Sequence, residues 1–437
     1  MVRLQQLLLD DNDLEFIPIQ VFWIRSLEEL GLSNNRITYI QEEEVGKLEN
    51  LKVLGMNHNR LTQIPMQLFN LRTIEVLGLE GNNIEVLPPE IGNLEVLQEL
   101  YMGDNVLTSI PDELCMCSLL QMLSLSNNSI SSLPIEIMNM RNLISLTLHG
   151  NNFQDLPESI CSLTELTYLT LHKNRLRHLP ADFGNIEKLV NLDLSENSFE
   201  EFPVALCNLK SIEELDLHSN KIPILPPEFA NLTGLKTLKL QQNVIEHLPI
   251  ELCGLNKLEE LDLSRNLVED VPEESKELAS LRCLDLSQNK FRSFPVEVCA
   301  IPNLVTLKFD QAEGCKITEI PDDIEGSSVS HLHVSNNLIT HIPKSVINMR
   351  NLNTLDAGNN RLSVFPKGLC FVKQLENLLL GNNCIQLLPE EFDQLKHLQT
   401  LELHNNPLKN PPSDVCVGGV MQPIGRFLRK FMEREGK

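Results

Sequence analysis

Along this chain the apolar positions keep two spacings at once. In residues 189–211, LVNLDLSENSFEEFPVALCNLKS, apolar side chains stand at Leu189, Leu192, Leu194, Phe199, Phe202, Leu206 and Leu209. Leu192 and Leu194 are two apart and point to one side of a strand. The later ones sit three or four apart, the spacing of a loop or a loose helical turn. The same frame starts at residues 4, 27, 51, 74, 97, 120, 143, 166, 189, 212, 235, 258, 281, 304, 329, 352, 375 and 398, which makes 18 copies, and 15 of the 17 intervals are 23 residues. Each copy predicts one short strand and one return segment. Such a unit cannot bury its apolar side alone, so it is stable only when stacked on its neighbours.

Two polar or rigid positions recur with the apolar ones. An asparagine closes the strand in 17 copies, from Asn12 and Asn35 through Asn383 and Asn406, and only repeat fourteen departs, with Cys315 at that place after a short insertion. Where the chain leaves the strand its backbone groups lose their ladder partners, and a buried amide satisfies them from inside the turn. Six residues further comes a proline, as in Pro18, Pro65 and Pro203. Proline fixes φ and disfavours helix in the preceding residue, which keeps the return segment extended and the repeat short.

The resulting L-x-x-L-x-L-x-x-N pattern marks a leucine-rich repeat. It predicts an α/β solenoid, a curved right-handed horseshoe of 18 short repeats over residues 1–412. A parallel sheet lines the concave face, and extended or 3-10 segments line the convex face. Residues 413–437 are predicted as a cap, where Ile424, Phe427, Leu428 and Phe431 recur at helical spacing beside Arg426, Arg429, Lys430 and Arg434. Repeat two lacks the proline, carries one extra residue and runs Gln41, Glu42, Glu43, Glu44, which predicts an outward bulge. Met1 leads almost directly into the first repeat, so its apolar layer is expected to lack a dedicated cap, with Phe22 and Trp23 helping to shield it.

Charge narrows the partners. Lys plus Arg number 36 against 60 Asp plus Glu, a formal charge of −24 that repels nucleic acid and anionic lipid. The 11 cysteines form no flanking disulfide clusters, which together with the lack of a signal-peptide pattern points to a reduced, cytoplasmic protein. Cys115, Cys161, Cys207, Cys253, Cys299, Cys370 and Cys416 hold one place in their repeats and are expected to act as small buried hydrophobes on the convex side.

The chemistry that remains belongs to the outward strand positions. No phosphate-binding loop, nucleophile elbow or zinc-protease motif is present, so no catalytic residue, cofactor or metal is assigned. His331, His333 and Asp356 come together on the concave face, but such a trio arises easily where outward strand positions are polar, so it is not read as a metal site. Gly31, Gly55 and Gly78 are expected to leave backbone bare to a partner. Next to them Tyr101, Met122, His149, Tyr168 and His172 form a patch, and two of the chain's three tyrosines fall in it. Tyrosine in such a position is a typical interface anchor. An acidic ridge follows, with Asp193, Glu214, Asp216, Asp262 and Asp285, interrupted by Lys239. These residues are the predicted partner-binding surface.

The frame L-x-x-L-x-L-x-x-N-x-[LIF]-x-x-[LIF]-P over residues 4–412 resembles the short-repeat intracellular leucine-rich repeat family, which includes Ras-binding scaffolds, the plant Ras-group-related proteins and the erbin and scribble adaptors. The tail NPLKNPPSDVCVGG, the IGRFLRKF segment and the EGCKITEIP insertion resemble leucine-rich repeat proteins with a C-terminal death domain or IQ motif. The resemblance implies a non-catalytic scaffold or adaptor in intracellular signalling that engages small GTPase, kinase or phosphatase complexes through the concave face. Two other readings are a structural protein that assembles through its first repeat and the recognition arm of a larger enzyme or death-domain protein.

Overall fold

The computed structural model describes residues 3–311 and 316–409, apart from the side chain of residue 393. Cys315, Cys416 and the helix expected around Ile424 to Phe431 lie outside these residues. The chain divides into two compact units, Met1–Asn220 and Lys221–Lys437.

In the first unit ten three-residue strands run from Gln6–Leu8 to Glu214–Asp216, one per repeat. Each pairs in parallel with the next, and the register brings equivalent positions side by side: Leu7 with Leu30, Leu146 with Leu169, Tyr168 with Asn191, Asp193 with Asp216. The second unit repeats this with eight strands, from Thr237–Lys239 to Thr400–Glu402. Since side chains alternate across a strand, the central leucine of each points inward and its two neighbours point out. Residues 23 apart in sequence therefore become adjacent on the strand face.

The return segments are 3-10 turns opened by the proline column. Pro203, at φ −69°, leads into the turn Val204–Asn208, and Pro65 into Met66–Asn70. Repeat two, where an outward bulge is expected, closes a different turn. Without proline after Gln41, and with one residue more to place, the chain closes a four-residue α-turn, Glu42–Val45, in which the Val45 N–H donates to the Gln41 carbonyl at 3.0 Å.

Between the strands and the turns the leucine columns are sealed from solvent, joined by phenylalanines such as Phe153, Phe183 and Phe199. In the second unit Phe291 and Phe294 pack on Phe309 with ring centres 5.0 and 5.3 Å apart. At the first repeat Phe22 is fully buried, whereas Trp23 is 64% exposed. Of the two residues expected to shield that layer, Phe22 is thus in the core, while Trp23, the last residue of the turn Ile19–Trp23, is mostly open to solvent.

The asparagine column is a ladder between repeats. Asn174 Nδ2 donates to the carbonyl of Leu171 at 2.9 Å and, one repeat back, to that of Leu148 at 3.0 Å. Its Oδ1 accepts the Phe153 N–H at 3.1 Å. The residue before each asparagine takes a left-handed conformation, as at Lys173 (φ 54°) and Glu196 (φ 50°), which turns the chain out of the strand. Such a conformation costs a residue with a Cβ about 1–3 kcal/mol. The buried amide bonds that follow it hold the turn against that cost.

Repeat fourteen has an amide of its own ahead of the insertion. Gln311, only 2% exposed, takes the role of the ladder amide ahead of Cys315: Oε1 accepts the Asn289 N–H at 3.0 Å and Nε2 donates to the Leu286 carbonyl at 3.3 Å.

Candidate functional site: the strand face

In the first unit the in-register strands assemble one continuous polar cluster. His149 and His172 follow the strands Ser145–Thr147 and Tyr168–Thr170 at the same place in their repeats, and their rings stack with centres 4.2 Å apart and planes 9° from parallel. His149 Nδ1 meets Thr170 Oγ1 at 3.1 Å, so one edge of the stack is tied to the sheet. His172 Nδ1 lies 2.9 Å from Asp193 Oδ2, within ion-pair reach but not aligned for a straight hydrogen bond. Asp193 Oδ1 accepts both the N–H and the hydroxyl of Ser195, at 2.9 and 2.6 Å.

The electrostatics follow from this geometry. Burial pushes the His149 pKa down, and the neighbouring His172 pushes it the same way. Burial works to raise Asp193, but the close His172 imidazole and the two hydrogen bonds from Ser195 outweigh it and hold the carboxyl below its usual range. One repeat on, His218 Nδ1 lies 2.7 Å from Asp216 Oδ1, and this bond raises the His218 pKa against the effect of burial. His218 belongs to the cluster and was missed in the sequence. Its signal was present, since Leu217-His218 repeats the places of Leu148-His149 and Leu171-His172.

The two tyrosines part company here. Tyr101 is half-buried, and its hydroxyl donates to Glu99 at 2.7 Å with Met122 Sδ at 3.7 Å. Burial, then the bond to Glu99, push the Tyr101 pKa up to about 12. Tyr168, 42% exposed, projects beside Asn191, and Met122 is 37% exposed. Asn191 Nδ2 donates to Glu214 at 2.6 Å, and Lys173 lies 3.7 Å from Glu196. Asp193, Glu196, Glu214 and Asp216 are thus engaged by their own neighbours. Exposed pairs of this kind add little stability, and their main effect is to fix side-chain positions.

In the second unit the register sets Lys239 beside Asp262, Asp262 beside Asp285 and Asp285 beside Lys308. Burial raises the Asp262 pKa, and Asp285 adds to the rise. Lys308 Nζ is 3.5 Å from Asp285 Oδ2. His333 Nδ1 stands 3.9 Å from Asp356, while His331 turns to Ser330 at 2.8 Å. No group of three His, Cys, Asp or Glu side chains among the described residues is arranged to hold a metal ion.

The glycine positions correct an expectation. At Gly31 the Asp10 carboxylate lies where a Cβ would stand, and at Gly78 Asn57 Oδ1 lies 2.8 Å from that point. Both side chains are fixed by backbone N–H groups, of Ser33 at 2.7 Å and Glu80 at 2.9 Å. At these two positions the backbone is therefore covered by a side chain of the preceding repeat, whereas Gly55 is half-buried, with Ser33 Oγ 3.3 Å from that point.

The cluster is a rigid, hydrogen-bonding platform beside a projecting aromatic ring. Ser195 bonds to Asp193 and not to an imidazole, so the order of groups in a hydrolytic triad is absent from it. Among the described residues no helix is long and apolar enough to cross a membrane.

The sequence matches the family described as leucine rich repeat over residues 2–61, 72–130, 225–268 and 350–408, and a leucine-rich repeat region over residues 108–221. The chain belongs to the leucine-rich repeat family. Among solved structures it is similar to a leucine-rich repeat protein of Leptospira interrogans, at 34% identity over 88% of this chain and 97% of that one, with a TM-score of 0.80. The Arabidopsis receptor kinase HAESA, solved in complex with the peptide hormone IDA and the co-receptor SERK1, matches at 26% identity over 92% of this chain and 74% of its own, with a TM-score of 0.62. An internalin of Listeria monocytogenes, at 23% identity over 81% of this chain and 87% of its own and a TM-score of 0.57, shares the fold. No curated protein matches the sequence. The fold and its neighbours mark the chain as a protein-interaction domain.

Proposed function

We propose that this chain is a non-catalytic scaffold or adaptor of intracellular signalling, cytoplasmic, that binds a protein partner on its strand face at Tyr168. The observation that carries this reading is the exposed ring of Tyr168 on the same strand as Thr170, whose hydroxyl holds the stack of His149 on His172 beside Asp193. A partner that covers such a site gains a large aromatic contact while ordering few side chains, which is the condition for a hot spot. Small GTPase, kinase and phosphatase complexes are the partners that the short-repeat intracellular subfamily would supply. HAESA, which is similar to this chain, was solved with a peptide hormone, and that supports a second form of the same reading in which the partner presents an extended segment.

Crosslinking mass spectrometry in a native extract identifies the partner, and Tyr168→Ala then tests the surface. Loss of an anchor of this kind costs about 2 kcal/mol, roughly a thirtyfold weaker Kd. A partner held with unchanged affinity by Tyr168→Ala overturns the assignment.

A further inference from the structure

The one repeat without a leading proline leaves a groove on the return-segment side of the first unit. Its neighbours place Ile19, the first residue of the turn Ile19–Trp23, and Met66, the first residue of Met66–Asn70, on either side of the α-turn Glu42–Val45. The space between them has a volume of about 750 Å³, within the range of formed ligand pockets. Ile19, Tyr39 and Met66 give it an apolar lining, and these three are exposed at 46%, 50% and 53%. Glu42, Glu43 and Glu44 form one wall, and no lining residue is cationic. Glu44 is paired with Lys47 at 2.6 Å, which leaves the exposed carboxylates of Glu42 and Glu43 at the rim.

We infer that this groove docks a basic, apolar-anchored peptide segment of a partner protein, with an aliphatic or aromatic side chain in the groove and flanking Lys or Arg on Glu42 and Glu43. Charge decides among the occupants. A second copy of a chain with formal charge −24, or an anionic lipid surface, meets repulsion at this rim, while a cationic segment gains from it. The apolar lining supplies what charge alone does not, a place for one anchoring side chain. This surface is separate from the strand face, so the chain presents two docking surfaces, as bridging two proteins requires.

The test uses the full chain and a fluorescein-labelled, end-capped heptapeptide alternating lysine and leucine, with the glutamate–leucine peptide as its control. Trp23, the only tryptophan in the sequence, ends the turn that supplies Ile19 and reports binding through its emission. The cationic peptide is expected to bind and shift Trp23 emission, and the acidic peptide to do neither. Glu42→Gln with Glu43→Gln should weaken binding about tenfold and Met66→Ser several-fold, while Glu259→Gln with Glu260→Gln changes it less than about twofold. Equal weakening by the two double variants means diffuse attraction to an acidic chain and overturns the inference. So does absence of binding, or a dimer by light scattering that the groove variants dissolve, which would make a second copy the occupant.

Discussion

The backbone N–H of Asn289 donates to the side chain of Gln311 at 3.0 Å, two residues earlier in the turn than the N–H groups that the ladder asparagines accept elsewhere. The carbonyl reached from the other end of the same amide, that of Leu286, is the usual one. A side chain longer by one methylene thus keeps the ladder intact just before the insertion of repeat fourteen. Gln311→Ala would leave a buried N–H and a buried carbonyl without this partner, a loss of about 1–3 kcal/mol. Urea unfolding should show the lower midpoint, and hydrogen exchange should show the Asn289 amide exposed. A variant as stable as the parent would mean that water replaces the amide at no cost.

The ladder asparagines should differ in weight according to what they bridge. Asn174 is buried and spans two repeats, whereas Asn12 is exposed and bonds only the carbonyls of Leu9 and Asp10 in its own repeat. Asn174→Ala is expected to cost about 1–3 kcal/mol and Asn12→Ala about 0.5 kcal/mol or less. Equal losses in urea unfolding would contradict the bridging account.

The cysteines of the return segments should be chemically quiet. Burial pushes Cys115 and Cys299 up to about 12 and Cys161 to about 11, and Cys117 beside them also to about 12. The thiolate is the reacting form, so such thiols stay inert near neutral pH. Cys384, exposed, should be alkylated by iodoacetamide well before any of these four in the native protein. Peptide mapping by mass spectrometry reads the order, and early labelling of Cys115 would refute its burial.

What the sequence disclosed and what it hid separate along one physical line. Repetition at 23 residues announces every strand, the asparagine ladder and the proline-led turns, because each copy solves the same burial problem with the same residues. Parallel in-register pairing then says which outward residues are neighbours, so the juxtaposition of Tyr168 with Asn191 is legible from spacing alone. Spacing does not say how a side chain uses its neighbour. Nothing in the spacing says that Tyr101 folds its hydroxyl onto Glu99, that Asp10 covers Gly31, or that His172 stacks on His149 while reaching Asp193. These depend on rotamers chosen by local packing. Gln311 stayed hidden for the opposite reason, since the insertion broke the register by which a ladder residue is recognised.

The histidines of the strand face should make stability respond to pH in two opposed ways. His218 titrates above the ordinary histidine value of 6.5, chiefly through its bond to Asp216, with Asp193 and Glu196 adding to the rise. A raised pKa favours the folded state when the proton is on, so this contribution is complete below 6.5 and is lost as pH climbs through the folded value. His149 titrates below 6.5, through burial first and His172 next, with Lys173 acting alike and Asp193 and Asp104 opposing. Its proton is resisted by the folded state, so stability is complete above 6.5 and falls as pH drops through the folded value. In His218→Gln only the second effect remains, and stability should decline more steeply on acidification than in the parent. In His149→Gln only the first remains, and stability should gain on acidification relative to the parent. Urea unfolding between about pH 5 and pH 8 measures both slopes, and NMR titration of the ring protons places His218 above His149. Asp216→Asn should bring the His218 midpoint down while leaving His149 close to its parent value. If the two midpoints coincide in the parent, the separate environments assigned to these imidazoles are wrong, and with them the rigidity of the platform beside Tyr168.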